Sequence, residues 1–197
     1  MKNYKVLLAA AIVSTVLLGS CKKDDPVNDP NNPGTSGTQL FSIKTATIVY
    51  DFVGITRTLY FDNNGAEVCI DDSYGMSYVS DERYIWDGSA KKGYHLDTTN
   101  KTYQEVTEAE VKDELDMFLF TEQDYSVAGF TKTTQTIAGK SCSVYTGPLM
   151  GSNVTMGGWS GILFVMTVDG SDLLRAKSCS ETVPANIFKV PSGYTKQ

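Results

Sequence analysis

Nucleophilic or acid–base chemistry on this chain would have to begin at His95, because the sequence contains a single histidine. A Ser–His–acid triad also needs a presented serine, and no Gly-x-Ser-x-Gly elbow occurs. His95 lies in "GYHLD", a short strand-like segment, where a surface or hydrogen-bonded histidine is the simpler role. Paired carboxylates are more plentiful: Asp71-Asp72, Asp81-Glu82, and the run Glu108, Glu110, Asp113, Glu114. Glycoside hydrolysis requires two carboxyls across a sugar, but these acids fall at strand ends, turns and the polar side of a helix. Cys69, Cys142 and Cys179 form no Cys-x-x-Cys motif. With one histidine they make a poor tetrahedral zinc set, so each is expected to be a small buried apolar residue.

The loops are equally spare. "DNNG" (62–65) and "DTTNK" (97–101) lack the spaced acids and closing glutamate of a calcium-binding hand. "PLMGSNVTMGG" has glycines without the lysine of a phosphate loop, and reads as a connection between strands. Asn153-Val154-Thr155 indicates exposure and nothing more. The sequence therefore predicts a non-enzymatic protein with no cofactor and no metal. A hydrolase using His95 or an acid pair is the weaker alternative.

What these residues would be mounted on is mostly sheet. "TATIVYDFV" alternates with Ile48, Tyr50 and Phe52 on one side. "TRTLYF" follows, and Asn63-Asn64-Gly65 supplies a turn tolerant of positive φ. "AEVCIDD", "MSYVSDERYIWDG", "GYHLD" and "TYQEV" continue the alternation. The period then changes. Thr107 with Glu110 fits a capping box, and Val111, Leu115, Phe118 and Leu119 fall at i, i+4, i+7 and i+8 of an amphipathic helix. Strands resume with "FTKTTQTIAGKSCSVYTG", a hairpin turning near Ala138-Gly139, then "WSGILFVMTV" and "DLLRAKSCSETV". The proline-bearing tail from Val183 is expected along an edge. Roughly nine or ten strands and one principal helix make an α+β domain on an antiparallel sheet.

The N-terminus answers where the protein works. Lys2 and Lys5 precede an apolar run from Val6 to Leu18, then small residues Gly19 and Ser20. This is the pattern of an export signal. The run is shorter than the ~20 residues that span a bilayer, so a retained span is the weaker reading and a core helix weaker still. Leu18-Gly19-Ser20-Cys21 resembles a bacterial lipobox, which implies that Cys21 becomes the first mature residue and carries the lipid. An ordinary secretory cut after Ser20 is the alternative. Each buried CH₂ contributes roughly 0.8 kcal/mol to membrane attachment. Lys22-Lys23-Asp24-Asp25 resembles the short lysine-plus-acid export signal of lipoproteins in Bacteroidetes-type bacteria. It implies an outer-membrane, lipid-anchored protein at the cell surface, with the periplasmic face and a merely solvated charge cluster as alternatives.

The full chain carries 17 Lys and Arg against 23 Asp and Glu; loss of Lys2 and Lys5 with the leader leaves 15 against 23, a net charge of −8. Such a surface repels phosphate backbones, and no basic block relieves it, so nucleic acid is excluded as a partner. "PVNDPNNPGTSG" has too few apolar residues to fold. The expected organisation is a lipoprotein signal peptide over 1–20, a lipidated tether over 21–38, and one domain over 39–197. Three cysteines in that domain leave at least one thiol unpaired.

The order of elements, with "GYHLDTTNKTY", "TIAGKSCSVYTG" and the closing "VPANIFKVPSGY", resembles the LolA/LolB-like lipoprotein-sorting group over about residues 40–195. That resemblance implies a curved, unclosed antiparallel β-barrel whose concave face is covered by the helix and holds a hydrophobic or acyl-chain ligand. No ligand-contacting residue of that group can be matched individually. Tyr and Trp, with apolar bodies and polar tips, suit such a wall. The expected lining is Tyr50, Phe52, Tyr84, Trp86, Val111, Leu115, Phe118, Leu119 and Phe164. The alternative is a cell-surface module, binding a protein or glycan, whose interior is filled by its own side chains. The protein partner is not specified by the sequence.

Overall fold

A computed structural model describes residues 39–126 and 129–197 of the 197-residue chain. The predicted leader, the Cys21 attachment point and the tether to residue 38 lie outside the described residues. The strands are β1 (Ala46–Phe52), β2 (Ile55–Asp62), β3 (Glu67–Ser73), β4 (Glu82–Asp87), β5 (Lys92–Asp97) and β6 (Thr102–Val106). Two helices follow, α1 (Glu108–Asp116) and the four-residue α2 (Glu122–Tyr125). The second strand block is β7 (Thr131–Ile137), β8 (Lys140–Leu149), β9 (Ser152–Trp159), β10 (Ile162–Val168), β11 (Ser171–Ser180) and β12 (Thr195–Lys196).

All twelve strands belong to one open, curved sheet, in the order β12-β6-β5-β4-β3-β2-β1-β11-β10-β9-β8-β7. Neighbours are antiparallel except β12, which runs parallel to β6. The sheet is therefore mixed rather than purely antiparallel, and has more than nine or ten strands. One extra strand is the tail's β12, which does run along an edge. The other is β9, inside the stretch that reads as a glycine-rich loop. Its glycines are there for close packing: a Cβ on Gly157 would lie 2.6 Å from Val144 Cγ2, and one on Gly158 would collide with the Phe120 ring. Conversely, β4 begins only at Glu82, so Met76 to Asp81 form a loop instead of extending the strand.

Alternation sorts the first six strands into two faces. Ile48, Tyr50, Leu59, Phe61, Val68 and Ile70 are buried in the main core, which the helical segment covers. Cys69, Ile85 and Leu96 point the other way, into a smaller cluster closed by Ile187, Phe188, Val190 and Tyr194 of the tail. In β10 the run Ile162 to Met166 is buried throughout.

Helix α1 starts where its capping box predicts. Thr107 N–H donates to Glu110 Oε2 at 2.7 Å, and Glu110 N–H donates to Thr107 Oγ1 at 3.3 Å. Val111 and Leu115 are its buried face. The helix ends at Asp116, so Phe118 and Leu119 are not on its stripe. Tertiary pairing overrides the periodicity there: Leu163 N–H donates to Phe118 O at 2.7 Å, Phe120 N–H to Gly161 O at 3.0 Å, and Leu119 bridges Ile162.

Candidate functional site

Three connections meet at the end of the sheet where β1 begins. The β2–β3 turn is a 3₁₀ turn over Asn63–Gly65, with the Asp62 carboxylate accepting from Asn63 N–H at 2.7 Å. The incoming chain is stitched to it, because Leu40 and Phe41 N–H both donate to Asn64 O and Asn64 N–H donates to Lys44 O. Gly65, at φ +91°, leaves room for Leu40 and Phe41. From the β4–β5 hairpin, Gly88 presses on Ala66, whose carbonyl oxygen would collide with any Cβ at position 88. Above these lies the first half of α1.

Between them is a cleft of about 350 Å³. Leu40, Val68, Trp86, Val111 and Leu115 supply its apolar walls, and Gly65, Ala66 and Gly88 its floor. Its rim is charged, with Glu108 and Lys112 from α1 and Lys91 from the hairpin. Glu108 and Lys112 pair across one helical turn at 2.6 Å. A second, more open hollow of about 450 Å³ lies on the other side of Leu40, against Leu119 to Gln123 and Gly161.

The residues expected to line a cavity separate into three groups. Trp86, Val111 and Leu115 line the first cleft, and Leu119 the second. Tyr50, Phe118 and Phe164 are fully buried and fill the interior. The Tyr50 ring lies 5.0 Å from that of Phe118, and its hydroxyl donates to Leu163 O at 3.0 Å. Burial raises its pKa well above the ordinary phenol value. Phe52 and Tyr84 are half-buried beside a polar cluster.

That cluster sits toward the opposite end of the helix-covered face. Arg57, beside Leu59 on β2, makes a bidentate pair with Asp72 of β3, with Nε to Oδ1 at 2.5 Å. Both residues are buried. Arg57 Nη2 lies 3.4 Å from Glu114 of α1, and the guanidinium stands 4.9 Å from the Phe52 ring centre. Burial works against the Arg57 charge, but the hydrogen bond and charge of Asp72 outweigh it and raise the pKa. Tyr84 is pushed up to about 12 by burial, then by Glu114 and Glu82. Its ring stacks on His95 at 4.3 Å and 6°. The imidazole also meets Gln104 at 3.3 Å through Nδ1 and Glu82 at 3.8 Å through Nε2.

Several of the other candidate acids have structural partners. Asp71 holds Arg83 at 2.5 Å on the outer face, Asp81 accepts from Tyr74 N–H at 2.9 Å, and Glu110 completes the helix cap. Among the described residues no group of three or more His, Cys, Asp or Glu is placed to hold a metal ion. Cys69 and Cys142 are buried, Cys179 half-buried, and none is bonded to another. Burial pushes all three thiols up, Cys142 to about 11.

Sequence reasoning did not pick out Lys91, Leu40, Gly65, Ala66, Gly88, Lys112 or the Arg57–Asp72 pair. The pair was visible in principle, since strict alternation in "TRTLYF" puts Arg57 in line with Leu59 and Phe61. The meeting of three loops at Gly65 and Gly88 carries no local signal.

No family model matches the chain, and no curated protein does. Two solved structures of PNGF-II, in C2 and P21 space groups, share 11% identity with it. Their TM-scores are 0.40 and 0.43, over 78% of this chain and 31% of theirs. The chain thus spans about a third of that protein's length, and the likeness supports no inference about activity. Among the described residues no helix is long and apolar enough to cross a membrane.

Proposed function

We propose that this chain is a membrane-anchored, non-enzymatic lipoprotein, with a LolA-like domain that binds a small lipid-like ligand in the cleft beneath α1. The observation that carries the reading is the cleft itself: about 350 Å³, walled by Leu40, Val68, Trp86, Val111 and Leu115 and open at a charged rim. Ligand sites are typically of ~300–1,000 Å³, so this one takes a single short chain rather than a two-chain phospholipid. Apolar area removed from water there contributes roughly 25 cal/mol per Å². Outer-membrane placement, at the cell surface, follows from the leader and the Lys22 to Asp25 signal.

The test is mass spectrometry of protein gently extracted from its native host, followed by uptake of a fluorescent short-chain amphiphile. Co-purifying amphiphile, or uptake lost on Leu115→Trp, is expected. Empty protein that takes up nothing overturns the reading.

A second reading, the cell-surface interaction module, is favoured by a separate observation. Val53, Met76, Tyr78 and Met150 are the exposed large apolar side chains of the described residues, with Tyr78 82% exposed. All four lie in connections at the sheet end away from Ala46: the β1–β2 turn, the β3–β4 loop and the β8–β9 turn. Exposed apolar tips gathered at one end of the sheet offer a partner something to contact. Pull-down from native envelope fractions with Tyr78→Ser and Met150→Ser protein separates this reading from the first, which those substitutions leave untouched.

A further inference from the structure

We propose that Lys91 selects the ligand of this cleft, and that the ligand is a single-chain amphiphile with an anionic head, carboxylate or phosphate. The inference rests on the cleft-binding reading above and adds the chemistry of the head group. Lys91 stands on the rim beside Trp86 and Gly88. Among the described residues it takes part in no hydrogen bond or ion pair, whereas the other rim ammonium, Lys112, is held by Glu108 at 2.6 Å.

The nearest acid in sequence, Asp87, is otherwise engaged. Its Oδ1 accepts from Ser89 Oγ at 2.6 Å and from Ala90 N–H at 2.9 Å, closing the hairpin tip that bears Lys91. It also lies on the other face of β4 from Trp86, as alternation requires. Lys92 follows on that outer side, opposite Asp87 in the strand register. One unpaired cation thus overlooks an apolar slot in a molecule whose mature charge is −8. An ammonium at the mouth of a partly enclosed, low-dielectric slot attracts an anion more strongly than the same group on an open surface. The Trp86 indole and the Val111 and Leu115 side chains then meet the chain behind the head.

The experiment uses the full chain kept in solution with a fluorinated surfactant, whose tails mix poorly with hydrocarbon. Dodecanoate, dodecyl phosphate and uncharged dodecanol are titrated, and quenching of Trp86 fluorescence is read in a Trp159→Phe background. At least one anionic probe is expected to bind about fivefold or more tighter than dodecanol, and the tighter of the two anions identifies the head group. Lys91→Gln should remove that preference and leave dodecanol binding unchanged. Dodecanol binding equal to both anions, or an anionic preference that survives Lys91→Gln, overturns the inference and leaves the cleft reading standing. Binding of none of the three overturns both.

Discussion

At the scale of single residues, the Arg57–Asp72 pair is the most consequential polar contact inside the sheet. Two buried charges are tolerated because each compensates the other's lost hydration. Phe52 and Phe118, with guanidinium-to-ring distances of 4.9 and 6.0 Å, wall the pair off from water. Asp72→Ala should therefore cost about 3–5 kcal/mol, since it strands a buried guanidinium. The double variant Arg57→Met, Asp72→Leu should cost less than the single one, because the only carboxylate it leaves without a partner, Glu114, is partly exposed to water. Urea denaturation of the three proteins measures both. A double variant as weak as Asp72→Ala would show that the pair contributes more than mutual compensation. Gly88 is the matching case at the cleft: Gly88→Ala drives a methyl into the Ala66 carbonyl, so it should destabilise by about 1–3 kcal/mol and distort the floor of the cleft.

At the scale of elements, the helices are set by a few terminal contacts. Thr107→Ala removes the α1 cap and should cost about 1 kcal/mol, visible as a lower urea midpoint with an unchanged slope. Helix α2 is seated by Tyr125, whose ring stacks on Phe120 at 5.3 Å, and Glu122 adds a polar tie. Glu122 is lowered from 4.5 to about 2, first by its hydrogen bond with Lys132, at 2.7 Å, then by Ser143 and Tyr145. A folded pKa below the unfolded one stabilises above the unfolded value and is lost as pH falls through the folded one. The contribution is thus present above about 4.5 and disappears toward about 2. Because Glu122 is exposed, solvent screens much of it. A Glu122→Gln protein should lose less Tm than wild type across that acid window.

These elements also show what the sequence could reveal. The start of α1 was legible because a capping box is local, spanning only Thr107 to Glu110. Its end was not. Phe118 and Leu119 continue the helical period, but their backbone is claimed by the start of β10, more than forty residues away. Strand β9 was hidden for the same kind of reason. Gly157 and Gly158 read as loop residues until the side chains of Val144, Val165 and Phe120 occupy the space above them. The alternation in β1 put Ile48 and Tyr50 on one face, as found, yet the interior role of Tyr50 and Phe164, as against a cavity wall, depends on how far the sheet curls.

At the scale of the whole molecule, the sheet is unusual in needing cover on both faces. Over β3 to β5 the outer face carries Cys69, Ile85 and Leu96, which no helix reaches; the tail closes them with Ile187, Phe188, Val190 and Tyr194. Among the described residues the tail's backbone hydrogen bonds to the sheet lie at its end, where Thr195 N–H donates to Lys101 O at 3.0 Å and Gln197 N–H to Tyr103 O at 2.9 Å. A cover held by a two-residue strand and a few half-buried side chains should open well before the sheet itself unfolds. Cys69 reports that opening directly. Its thiol is fully buried and its pKa is pushed up by that burial, so it is inert while the tail is docked. Half-exposed Cys179 should alkylate first in the intact protein. Phe188→Ala, costing about 1–2 kcal/mol for a half-buried ring, should speed labelling of the Cys69 peptide severalfold and leave the Cys142 peptide unchanged. Equal acceleration of both would mean that Cys69 becomes accessible only through global unfolding, and that tail and sheet form a single cooperative unit.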